Sequence, residues 1–97
     1  MPHWNSIELY TTCEVLREYG WSQNRWRSDD GFCLMEGLYE SYARLETDEP
    51  RRHAVNSVLQ RLVKSRSPGS GIISWNDSIS RSFADVVSML READSEL

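Results

Sequence analysis

Apolar residues at Leu9, Cys13, Leu16 and Tyr19 fall three and four positions apart, stop at Gly20, and resume with the same spacing at Leu34, Leu38, Tyr42 and Leu45. That period puts each set on one stripe of an α-helix. Val55, Val58, Leu59, Leu62 and Val63 form a third stripe, and Phe83, Val86, Val87 and Leu90 a fourth. No convincing strand ladder accompanies them. A helix with one apolar stripe must bury it against another, so the expected fold is all-α, a compact bundle of about four short helices with a Trp-containing loop.

Punctuation sets the boundaries. The first helix opens at Asn5 or Ser6, where Asn5-Ser6-Ile7-Glu8 matches a capping box in which Glu8 reaches back to the cap. Gly20 suits the left-handed residue that ends it. The second runs from about Phe32 to Leu45, with Met35 and Tyr39 widening its apolar face. Gly37 inside it costs about 1 kcal/mol relative to Ala, which points to a packing reason such as close approach of another helix. The third covers roughly Glu49 to Ser65, with Thr47 or Asp48 as N-cap and Pro50 in the first turn. The last begins at Ser82, where Ser82-Phe83-Ala84-Asp85 is a second capping box.

Three connections remain. "WSQNRWRSDDG" holds Trp21, Arg25 and Trp26; its indoles either fold back as lids on the core or present a partner-binding surface, a role for which Trp and Arg are enriched. Asp29-Asp30 before Gly31 is a turn signature. "SRSPGSG" reads as a flexible loop. "IISW" is either an extended segment or a turn that delivers Ile72, Ile73 and Trp75 into the core.

The 97 residues are expected to form a single domain, 1–97, with 1–4 and 94–97 as frayed ends. A hydrophobic share of 39% and a charged share of 27% suit a globular chain rather than a disordered one. No apolar run approaches the roughly 20 residues of a membrane span, and "MPHWNSIELYTT" lacks the layout of a secretory signal. A cytoplasmic location without membrane contact is the expectation. Cys13 and Cys33 read as buried thiols, and neither they nor His3 and His53 have metal-ligand spacing, so no metal or cofactor is expected. "SPGSGIIS" lacks the lysine of a phosphate loop, and no base is placed to activate either thiol. No catalytic residue can be named.

Charge is uneven. Residues 1–48 carry nine acidic and four basic side chains, and residues 49–97 six and seven. The basic excess lies at Arg51, Arg52, Arg61, Lys64 and Arg66. Such a face favours head-to-tail association or a homodimer, or touches nucleic acid, or is solvated and neutralised by the acidic half. The second and third helices can be cast as a helix-turn-helix, but a pI near 5.1 weighs against phosphate binding.

"SWNDSISRSFADVVSML" has two readings. In one, Asn76 and Asp77 make side-chain-to-backbone turns after a core Trp75, and Arg81 pairs with Asp77 to lock them. In the other, Trp75 stacks on a ring, Asn76 and Asp77 hydrogen-bond a ligand, and Arg81 meets its anion.

Gly20-Trp21, Gly31-Phe32-Cys33-Leu34, Trp75-Asn76-Asp77 and Arg81-Ser82-x-x-Asp85-Val86 together resemble a small domain family of unknown function found in actinobacteria and their bacteriophages. The resemblance runs from about Gly20 to Ala93. Gly37 departs from it, standing one position beyond the family's Cys-x-x-Gly. The resemblance implies an all-helical fold and no known catalytic residue. Its phage association implies a small acidic protein that binds and redirects a host bacterial protein. The charge asymmetry, the loop tryptophans and the absence of a catalytic set point to a non-enzymatic protein-interaction module as the expected function, with a small-ligand or nucleotide-binding turn at Trp75, Asn76, Asp77 and Arg81 as the alternative and a DNA-binding helical domain as the third.

Overall fold

The four apolar stripes all lie on helices in the computed structural model, which describes residues 3–97. They fall on α1 (Ile7–Tyr19), α2 (Leu34–Leu45), α3 (Glu49–Arg66) and α5 (Phe83–Ser95). A one-turn helix, α4 (Ile72–Asn76), makes five among the described residues, and a small hairpin pairs β1 (Arg27–Ser28) with β2 (Gly31–Phe32). The fold is thus mainly α, with one helix more than the stripes predict and a strand pair they do not predict. Leu9, Leu16, Leu34, Leu38, Val55, Leu59, Val63, Val86, Met89 and Leu90 make one continuous core. No helix is long and apolar enough to cross a membrane among the described residues.

α1 packs closely on α2, and Gly37 is the reason they can meet: a Cβ there would lie 2.8 Å from Leu16 Cδ2. The glycine's cost in propensity is offset by this approach. α3 rests on α4 and α5 instead of on its sequence neighbour α2. A short connection and the Tyr42 hydroxyl, directed to Asn56 Oδ1 at 2.7 Å and more weakly to Arg52 O at 3.5 Å, hold α2 and α3 together at one end.

On the other side of β2 from β1, two glycines cross and Trp21 bridges Phe32 in parallel. Gly20 (φ +92°) and Gly31 (φ +134°) lie back to back, and a Cβ on Gly31 would sit 2.3 Å from the Gly20 carbonyl oxygen. Phe32 N–H then donates to Gly20 O at 2.9 Å, and Ser22 N–H to Phe32 O at 3.0 Å. Only glycine allows both the positive φ and the contact. This pairing removes Phe32 from α2, so the helix starts at Leu34 with Cys33 as its N-cap, two residues later than periodicity places it.

The caps divide between the expected and the unexpected. Asp48 accepts from Arg51 N–H at 2.9 Å, and Ser82 with Asp85 makes the full reciprocal box. At α1 the capping box is not formed. Ser6 Oγ accepts from Leu9 N–H at 3.2 Å, but Glu8 turns away to Arg51. The Asn5 and Ser6 amides donate instead to the two carboxylate oxygens of Asp94, each at 2.7 Å. Residues 94–97, frayed by composition, are therefore tied down: Asp94 is 3% exposed and Leu97 packs against the core. In "IISW" the helical turn of α4 buries Ile72 and Trp75 and leaves Ile73 outside, because helical spacing cannot bring all three to one side.

Candidate functional site

Trp21, Trp75, Asn76, Asp77 and Arg81 do converge, and the convergence is internal. Asn76 is fully buried at the end of α4. Its Oδ1 accepts from Trp21 Nε1–H at 2.6 Å and from Leu34 N–H at 3.1 Å. Its Nδ2 donates to Ser22 O at 3.1 Å and to Asp77 Oδ1 at 2.9 Å. An amide has two acceptor and two donor positions, so Asn76 is saturated. Around it, Gln23 Nε2 donates to Asn76 O and Ser78 O, and Asn24 N–H donates to Asp77 Oδ1 at 2.8 Å. Trp21 further stacks on Phe83 of α5. This node fastens the 20–33 connection, α4 and the start of α2 to one another.

The Asp77–Arg81 pair expected from spacing is not formed. Asp77 is occupied by the Asn24 amide, while Arg81 lies over the Trp75 ring, 4.0 Å from its centroid, with Nε–H donating to Trp75 O at 2.9 Å. The turn is locked by a cation on an aromatic face and a bond to backbone.

The basic face is largely neutralised by the protein itself. Arg51 makes two hydrogen bonds to the Glu8 carboxylate, at 3.2 and 3.0 Å, and this pairing raises the Arg51 pKa above its ordinary value. Arg61 pairs with Glu96 and Arg66 with Glu92, so the carboxylates come from the C-terminal helix as well as the acidic half. Arg52 and Lys64 have no carboxylate partner among the described residues. Cys13 and Cys33 are free and buried, and burial pushes both thiols up, away from the thiolate a nucleophile needs.

Where α3 stands away from α2, a groove of about 510 Å³ opens. Met35 of α2 and Ile72 of α4 supply apolar side chains, and His53, Asn56, Ser57, Gln60, Arg61 and Lys64 form the α3 wall. It continues past His53 and Asn56 into a recess of about 280 Å³ bounded by Tyr39, Tyr42, Glu49 and Arg52. Burial drives the Tyr42 hydroxyl pKa far above the phenol range, so it stays a donor, to Asn56.

At the rim, Trp26 and Tyr39 stack with ring centroids 6.0 Å apart while 48% and 43% exposed. Trp21 folds back as a lid on the core, and Trp26 does not. Arg25, beside Trp26, is exposed. Periodicity had assigned Tyr39 to the apolar face of α2, which hides its exposure. One signal for the groove was present: His53, Asn56, Ser57 and Gln60, spaced i, i+3, i+4, i+7, form an uncharged polar face on an otherwise charged helix.

Among the described residues no three His, Cys, Asp or Glu side chains gather to hold a metal ion. The groove offers one imidazole, amides, a hydroxyl and cations beside the apolar side chains of Met35 and Ile72. No curated protein and no solved structure matches the sequence. A family model does match over residues 8–96, nearly the whole of the described chain. The protein therefore belongs to the family of unknown function DUF6197.

Proposed function

We infer that the chain is a non-enzymatic interaction module that engages a protein partner through the groove between α2 and α3. The observation that carries this reading is the Trp26–Tyr39 stack, two large aromatic side chains left half in water beside an apolar-floored trough. Exposed aromatic area of this kind is a source of binding energy when a partner covers it. The host bacterial protein implied by the resemblance is the partner this reading would assign. The small-ligand alternative has less support, because Asn76 spends its whole hydrogen-bonding capacity inside the fold. A DNA-binding role is weakened by the ion pairs that occupy Arg51, Arg61 and Arg66.

The test is photo-crosslinking in a bacterial lysate from a reactive side chain placed at position 39, with position 79 as control. Ile79 is fully exposed and lines neither the groove nor its recess. A discrete partner captured from 39, absent from 79 and lost in Trp26→Ala supports the reading. The same products from both positions, or products indifferent to Trp26→Ala, overturn it.

A further inference from the structure

The cations of this chain are paired almost everywhere except along the groove. Eight ion pairs engage Arg17, Arg27, Arg44, Arg51, Arg61 and Arg66. Arg81 and Arg91 lie over the rings of Trp75 and Trp4. Among the described residues this leaves Arg25, Arg52 and Lys64 with neither a carboxylate nor an aromatic partner. Arg52 bounds the recess and Lys64 lines the main groove, while Arg25 lies in the loop next to Trp26 in sequence. Among the described residues that line the groove and its recess, Glu49 is the one acidic side chain. A protein with a net charge of −4 thus has two of these three unpaired cations along its groove and recess.

We propose that the groove binds an acidic peptide segment of a partner protein, with an apolar side chain seated between Met35 and Ile72 and carboxylates meeting Lys64 and Arg52. The proposal rests on the reading of the groove as a docking surface and adds the partner's chemistry. Arg52 and Lys64 are twelve residues apart on α3, about 18 Å along its axis. That span matches five or six residues of extended chain at roughly 3.3 Å each. The segment recognised therefore carries acidic residues at both ends of an apolar centre. Because both cations sit at the exposed edge, their contribution is screened by salt.

The experiment is selection of a random peptide display library against the full chain, with affinities of the enriched peptides measured by fluorescence polarisation. Two variants are compared, each with its melting temperature checked: the charge reversal Arg52→Glu/Lys64→Glu, and Ser57→Trp, which fills the groove from an exposed position. The expected result is enrichment of peptides with acidic residues flanking an apolar centre. Their affinity should fall roughly tenfold or more on charge reversal and decline with added salt. Enrichment without acidic bias, blocked by Ser57→Trp, overturns the acidic proposal and leaves the docking reading standing. Peptides indifferent to Ser57→Trp, or no enrichment, overturn both. Single-stranded DNA displacing the peptides, or a dimer that the charge reversal dissociates, would assign the groove to nucleic acid or to a second copy and also overturn the proposal.

Discussion

Asn76 shows how one buried amide can organise a small protein. It bonds Trp21 and Ser22, 55 and 54 positions away in sequence, and it also holds the first amide of α2. Asn76→Ala leaves the Trp21 indole N–H and the Leu34 amide without partners, and each buried unsatisfied group costs about 1–3 kcal/mol. A loss near 3 kcal/mol in urea unfolding is expected; a loss under about 1 kcal/mol would mean that the node is not what fastens the loop. Gly31→Ala acts through the backbone instead. Its Cβ meets the Gly20 carbonyl at 2.3 Å with φ at +134°, and neither backbone can swing aside as a side chain would. The crossing should open, which tryptophan fluorescence from Trp21 and Trp26 will report as increased solvent exposure. At this scale the sequence named the right residues and the wrong bond. Asn76 and Asp77 read as turn-makers, but the partner of Arg81 is the Trp75 ring, a choice that depends on where α4 lies.

At the scale of elements, local signals worked where the contacts are local. The Ser82–Asp85 box forms because both partners are within one turn, and its hydrogen bonds hold the Asp85 carboxyl below its ordinary value of 3.8. A depressed folded-state pKa means the carboxylate's contribution is complete above 3.8 and is lost as the pH falls through the lower folded value. Asp85→Asn should therefore lower the melting temperature at neutral pH and remove part of the acid-induced decline below pH 3.8; a variant that parallels the wild type throughout would sink this account. The α1 box looked equally good in sequence and does not form. Glu8 is bound to Arg51, 43 positions away, and Asp94 takes the Asn5 amide that Glu8 would have reached. Capping by a distant carboxylate leaves no pattern within a four-residue window.

Across the whole molecule, Asp94 closes the fold by joining its last helix to the entry of its first, 89 and 88 positions apart. Hydrogen bonds to a charged acceptor contribute about 1.5–3 kcal/mol each, so Asp94→Ala should cost on the order of 3 kcal/mol. Removing residues 94–97 should cost more, because Leu97 leaves the core as well. Thermal melts of both variants check this, and an unchanged midpoint after truncation would show the tail to be dispensable. The groove is a property of the same scale. It exists because α3 packs on α4 and α5 while α2 packs on α1, which holds two consecutive helices apart.

Sequence alone determined that this chain is helical, where most helices begin and end, and that Gly37 faces another helix. Those features follow from periodicity and from interactions spanning three or four residues. It did not determine which polar groups meet across the fold. The glycine crossing and its hairpin, the Asn76 node, the Asp94 cap and the groove all depend on contacts among segments distant in sequence. Only the packed arrangement decided that Trp21 covers the core and bonds Asn76 while Trp26 stays half exposed on Tyr39, since both sit in the same polar loop.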